Sequence, residues 1–478
     1  MSMKKSVAIY PLALVCLIVP LAYALDPNPA GADVWTKGIA NGFGNPAQNQ
    51  EVSWLQNFNG FLYAAVNTSG AGAQLFRTAD LTNWTAVGPT LGSTTNKINR
   101  MTANGSSDLY FSASADSGSL PALFHSTDGI NWTLISTTAN GYTNTTDGSF
   151  SGLAVSGTKI FVGFISATSA AQIWKANLDG SNFKKVADFD TGLNIDTGAN
   201  TNLNFISYLY AAANRTVYAG LAKRGTGGDT APVDGYLYLY EATNNATTLT
   251  LNTGVGNGFG NVHNRNIASL TEFGGYLYAS VHNPTTGGEL WRTPLNAGSS
   301  FNDTVWQPVL TGGIDERLNY ELHHLSADNG YLWLVTMGVA PSGFVTNSPD
   351  EVWRSSDGVK WIQSNPAGFG DPTNGLSRYP AITGFGSQEV FGGRHLLNGA
   401  QIFVTTAPPP TPAMASAPGN VITLTWSATA TNVVLEAATN LVPPNSWGIV
   451  TNAVQNFNGM LLVEIKAADG SRFFRLKR

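Results

Sequence analysis

Residues 33–49 read DVWTKGIANGFGNPAQN, and residues 359–375 read VKWIQSNPAGFGDPTNG. The two stretches align without a gap, Trp35 on Trp361 and Gly-Phe-Gly 42–44 on 368–370. The later stretch ends a four-strand phrase and leads into the next one. The earlier stretch has no strands before it to complete. Its partners must lie at the far end of the repeat.

That repeat is written along most of the chain. A second-strand phrase recurs as GFLYAAV (60–66), DLYFSA (108–113), KIFVGF (159–164), TVYAGL (216–221), GYLYASV (275–281) and YLWLV (331–335). A third-strand phrase follows each: QLFRT, ALFHST, QIWKA, YLYLYEA, ELWRT and EVWRSS. Their alternation is that of half-buried strands, and the unit length of about 45–60 residues is that of propeller blades. A seventh unit starts at Arg378 as RYPAITGFG, continues as QEVFGGRHLL and AQIFVTT, and stops one strand short. Residues 33–38 supply that strand. The expected fold is an all-β, seven-bladed β-propeller over residues 25–406, closed by its N-terminal strand so that no sheet edge is left open at the seam.

Composition agrees. Charged residues are 12% of the 478, Gly numbers 52 and aromatics reach 11%, a balance of short strands and tight turns. Lys4 and Lys5 precede an apolar run from Val7 to Leu21, and Ala22-Tyr23-Ala24 fits a signal-peptidase site, so residues 1–24 read as a signal peptide. The competing reading, a lipid anchor on Cys16, places bulky Val15 before the modified residue. Cys16 is the single cysteine, so an exported mature chain has neither disulfides nor thiol chemistry. Removing Lys4 and Lys5 leaves 23 basic against 30 acidic residues, with no basic run to suit a nucleic acid. No later stretch approaches the ~20 apolar residues of a membrane helix. A secreted monomer with an extracellular glycan or protein as its partner is the expectation.

The turns STDGINW (126–132), SSDGVKW (355–361) and TADLTNW (78–84) resemble the Asp-box of sialidase-like propellers, one residue shorter between Asp and Gly. The chemistry is structural: Asp128 and Asp357 accept turn N–H groups, Gly129 and Gly358 take positive φ, and Trp wedges between blades. After Thr406, APPPTPAMASAPG (407–419) reads as an extended spacer. Residues 420–478, with ITLTWSA, VVLEAATNL, SWGIV and SRFFRLKR, resemble the small immunoglobulin/fibronectin-like β-sandwich domains that end many secreted planctomycete and verrucomicrobial proteins. That resemblance implies fold and export.

In a propeller, the starts of the innermost strands surround one mouth of the central channel. Aligning the units places Glu51, Arg100, Arg265 with Asn266, Tyr320 with Glu321, and Arg378 with Tyr379 there. Two readings stand: mutual neutralisation that caps the channel, or a site for a carbohydrate or anion. Arg378-Tyr379-Pro380 resembles the segment carrying the first arginine of the sialidase clamp, which implies a carboxylate grip completed by Arg100 and Arg265. No nucleophile pair or acid is assignable with it. Asp188, Asp190, Asn194 and Asp196 in DFDTGLNID have the spacing of oxygen ligands to calcium, without the closing glutamate of an EF-hand. His323 and His324, adjacent on a strand, should point to opposite faces and act as packing or polar residues. The functional expectation is a non-enzymatic binding propeller. Its rivals are a sialidase-like glycoside hydrolase and an architectural surface protein.

Overall fold

The computed structural model describes residues 32–478 except 94, 115–121, 144–147, 167–170, 189–204, 215, 224–232, 244–248, 253, 296–304, 315–318, 338–348, 372, 375–376, 378, 443–445 and 467–471. The described residues are all-β with short 3-10 turns and no α-helix. None forms a helix long and apolar enough to cross a membrane.

The arrangement is propeller-like. Four-stranded antiparallel sheets start from the strands Asn49–Phe58, Lys97–Asn104, Gly148–Ser156 and Phe205–Ala211. Two further four-strand groups start from Asn266–Phe273 and Glu321–Asp328 and are joined by one backbone pair, His282 with Glu321. A last sheet runs Ala381–Phe385, Gln388–His395, Gly399–Thr405 and then Thr36–Ile39 from the chain's other end. We number these groups first to seventh in that order. Each starting strand touches the next, and Ala381–Phe385 returns to Asn49–Phe58. Between groups the core is aliphatic and aromatic, as where Val52, Leu55, Ala381, Val390 and Ile402 pack together.

The strand Thr36–Ile39 pairs antiparallel with Gly399–Thr405, Thr36 opposite Val404. Asp33, just before it, takes Nε and Nη2 of Arg354 at 2.7 and 3.0 Å and the Ser364 hydroxyl at 2.6 Å. Both side chains of this ion pair are over nine-tenths buried.

The Gly-Phe-Gly turns explain the shared sequence. Phe43, Phe259 and Phe369 have φ of 53°, 57° and 56°, a region that costs a side-chain-bearing residue about 1–3 kcal/mol. Packing offsets this. Each ring stacks on a third-strand aromatic, Phe76, Trp291 or Phe403, at 4.3, 4.9 and 4.0 Å. Each also meets a tryptophan edge-on, Trp84, Trp306 or Trp35. An asparagine closes each turn, as Asn49, Asn264 and Asn374 donate to the carbonyls of Gly42, Gly258 and Gly368. Trp35 thus serves the seventh group as Trp84 serves the first and Trp306 the fifth.

The Asp turns are structural in the same sense. Asp128 accepts from the N–H groups of Asn131 and Ile130, which hold its carboxyl well below the usual range. Gly129 lies so close to Tyr63 of the preceding sheet that an added Cβ would sit 1.9 Å from its hydroxyl; Gly358 stands likewise against Tyr278. Trp132 bridges sheets by donating Nε1–H to the Val87 carbonyl at 3.0 Å.

The C-terminal part has a four-stranded sheet (Ala413–Ala417, Val421–Ser427, Met460–Lys466, Gln455–Phe457) and a three-stranded one (Gly448–Ile449, Val434–Ala438, Phe473–Lys477). Leu424, Trp426, Leu435, Val463 and Leu476 pack between them. Residues 413–417, read from sequence as spacer, form an edge strand paired with 421–425. This part also touches the ring. Arg478 donates to the carbonyls of Ala407 and Asn329, and Gly330 N–H donates to the Thr429 hydroxyl at 3.1 Å.

Candidate functional site

The starting strands of the first six sheets share an irregularity. Their pairing slips between Val52 and Trp54, Ile98 and Arg100, Phe150 and Gly152, Ile206 and Tyr208, Ile267 and Ser269, and Leu322 and His324. A bulge adds one residue and re-aims the side chains beyond it. Before it, Val52, Ile98, Ile206, Ile267 and Leu322 are buried in the core. After it come Trp54, Arg100, Tyr208 and His324, and these four meet although they belong to four different sheets. The Arg100 guanidinium lies over the Trp54 and Tyr208 rings, 4.9 and 5.3 Å from their centroids. His324 stacks on Trp54 at 5.1 Å and accepts from the Ile382 N–H. Side chains of the first, second, fourth and sixth sheets thus meet in one cluster.

Arg100 is an under-used donor there. Among the described residues, Nη1 donates to the Asn99 carbonyl at 3.0 Å, Nε is buried without an acceptor, and no carboxylate forms an ion pair with it. Burial pulls its pKa down, while Tyr208, Tyr379 and Glu321 push it back up. A guanidinium stays charged even so.

A rim of polar groups surrounds this centre. Glu321, 8% exposed, accepts a short hydrogen bond from His323 Nδ1 and has His282 Nδ1 at 3.7 Å. Burial raises the Glu321 carboxyl, but His323, His282 and Arg100 together outweigh this and hold it below the ordinary range. A charged carboxylate only accepts, so the His323 nitrogen facing it, Nδ1, is the donor of that bond. His282 is kept neutral chiefly by burial, against the pull of Glu321 and aided by Arg265 and His323; its Nδ1 lies 3.2 Å from Asn266 Oδ1. His324, buried beside His323 and Arg100, is pushed down to about 3. Tyr379 lies 6.1 Å from the His323 ring and donates its backbone N–H to Glu51 Oε1 at 2.8 Å.

Of the residues aligned at strand entries, Glu51 is joined to Tyr379, and Glu321 and Asn266 are joined through His282. Arg100 follows the bulge, whereas Glu51, Asn266 and Glu321 precede it. Arg265 points its Nε at Asp234 at 2.7 Å, and His263 shares that carboxylate. Tyr320 contributes its carbonyl to Asn283 N–H. Arg378 lies outside the described residues, as do Asp190, Asn194 and Asp196; Asp188 ends the strand Lys184–Asp188. No cluster of three or more His, Cys, Asp or Glu suited to a metal occurs among the described residues.

Of the two adjacent histidines, His324 packs on Trp54, and His323, at the slip in pairing, contacts Glu321 and neighbours the Tyr379 ring. Trp54, Tyr208 and His282 escape a sequence reading aligned on strand starts, although a phrase of apolar residue, small or polar residue, then lining residue (VSW, INR, ISY, LHH) marks the slip.

Asp350 lies behind the rim, its Oδ2 accepting from the Ser377 hydroxyl at 2.6 Å. Burial, reinforced by Glu51, pushes its carboxyl up to about 7. An acid with a raised folded pKa stabilises most below its unfolded value and loses that contribution as pH climbs through the folded one. The loss between acid pH and pH 8 is on the order of 4 kcal/mol at most. Asp350→Asn should therefore gain more melting temperature over the wild type at pH 8 than at pH 5. Thermal unfolding at both pH values checks this; an equal difference would contradict it.

No protein-family model and no curated protein matches the chain in sequence. Among solved structures it is similar to the β-propeller domain of Cps50 (Swd1) from Myceliophteria thermophila, with 8% identity, a TM-score of 0.47, and 76% of this chain covering 97% of that one. It is also similar to an ulvan lyase, a polysaccharide lyase bound to -[GlcA(1-4)Rha3S]-, with 13% identity, a TM-score of 0.44, and coverage of 78% and 95%. A third is the Trypanosoma rangeli sialidase in complex with sialic acid, with 10% identity, a TM-score of 0.41, and coverage of 90% and 83%.

Proposed function

We propose that the chain is an exported seven-bladed β-propeller, closed by its N-terminal strand and followed by a small β-sandwich, that binds an acidic extracellular glycan at the mouth of its ring. One observation carries the reading. Arg100 has four of its five N–H donors without a protein acceptor among the described residues and is sandwiched by Trp54 and Tyr208. A planar guanidinium in that setting suits a carboxylate or sulfate bound through two parallel hydrogen bonds. The flanking aromatic rings suit the apolar face of a sugar. A capping role for the same residues would place a carboxylate in direct contact with Arg100, whereas Glu321 acts on it only at longer range. Glu51 and Glu321 instead engage Tyr379 N–H and His323.

A glycan array probed with the mature chain tests this. Binding should be enriched on uronate- and sulfate-bearing glycans and should weaken as salt is raised. Binding confined to neutral glycans, or none, would contradict it.

A further inference from the structure

We propose that the mouth also cleaves its glycan, by β-elimination at a 4-linked uronate, with His323 as the base and Tyr379 as the acid. The inference rests on the acidic-glycan reading above and adds chemistry to it. Glu321 holds His323 through Nδ1, the kind of orienting contact that keeps the far imidazole nitrogen for proton transfer. Nε2 makes no hydrogen bond among the described residues and is not one of the buried, unpartnered atoms. The hydroxyl of Tyr379, the neighbouring ring, is free in the same sense. Arg100 supplies the third requirement, since a guanidinium on the uronate carboxylate stabilises the charge that develops when the adjacent C–H ionises. The carboxyls of Glu51 and Glu321 are already engaged by backbone and imidazole. That is a poor start for the paired carboxyls of a glycosidase.

The step balances within the substrate. His323 Nε2 takes the proton from C5, and the C–H electron pair becomes the C4=C5 double bond. The C4–O bond breaks with its electrons on the glycosidic oxygen, which takes the Tyr379 hydroxyl proton. The imidazolium then returns its proton to the phenolate, directly or through a water. The products are an unsaturated uronate and a free hydroxyl end, with no oxidant, reductant or water consumed.

The test incubates the mature chain with alginate, polygalacturonate and a β-1,4-glucuronan. It follows the ultraviolet absorbance of the unsaturated uronate, confirms the product by mass, and measures affinity for each polymer in parallel. The wild type should release unsaturated ends from at least one polymer. His323→Gln should slow release by about 100-fold or more with affinity and melting temperature retained, and Tyr379→Phe should do the same. Binding without unsaturated product, or with saturated hydrolytic ends, would overturn the elimination, and full activity in both variants would overturn His323 and Tyr379 as its base and acid, each leaving the binding reading standing. Failure of the wild type to bind any of the three would overturn both.

Discussion

A chain lacking residues 25–40 should lose most of its thermal stability. Three losses combine in that deletion. The seventh sheet loses its outer strand Thr36–Ile39 and exposes Gly399–Thr405 as an open edge. Phe369 loses the edge contact of Trp35 while keeping its left-handed backbone, so the strain remains without part of its compensation. Arg354 is left buried without Asp33. Removing one partner of a buried ion pair costs about 3–5 kcal/mol by itself. Asp33→Ala isolates that last term and should lower the melting temperature by about 10 °C, at roughly 2–4 °C per kcal/mol for a domain of 150–250 residues, and by less for a larger one. The deletion should exceed it. Circular dichroism melts of both variants decide the matter, and a deletion variant that melts with the wild type would show that the N-terminal strand does not close the ring.

Arg100→Ala should abolish acidic-glycan binding and leave the fold intact. The two halves of the expectation have separate causes. Hydrogen bonds to a charged group contribute about 1.5–3 kcal/mol, so losing a bidentate contact should cost at least 10- to 100-fold in affinity. Stability should change little, because no carboxylate forms an ion pair with Arg100 among the described residues, its one protein acceptor there is the carbonyl of neighbouring Asn99, and Glu321 keeps its contact with His323 when the guanidinium is removed. Arg100→Lys, which keeps the charge and loses the fork, should recover only part of the affinity. Titration calorimetry and a melt on each variant check both halves. Wild-type affinity in Arg100→Ala, or a large fall in its melting temperature, would count against the assignment.

The repeat was legible because strand alternation recurs in every unit, with a Trp before the fourth strand in five of them and a Gly-Phe-Gly turn at three of the junctions. The pairing of Trp35 with the far end followed from the same letters. The site was legible only in part. Glu51, Asn266, Glu321 and Tyr379 stand where strand starts put them. Arg100 is re-aimed onto Trp54 and Tyr208, because the slip between Ile98 and Arg100 adds a residue that neither composition nor alternation reveals. His323 was read as ordinary for a related reason: alternation tells which way a ring points, not that Glu321 two residues earlier will orient it. The third arginine of the expected clamp illustrates a further gap, since Arg265 is drawn to Asp234, thirty-one positions away and in another sheet's approach loop.

The most direct measurement compares wild-type binding to an oligogalacturonate with binding to the same oligosaccharide whose carboxylates have been reduced to alcohols. Shape, linkage and stacking faces are retained and only the anionic group changes. A ring mouth built around Arg100 should bind the acid and lose the reduced form by at least about 10-fold, the scale of one charge-assisted contact. Equal affinity for the two would contradict it.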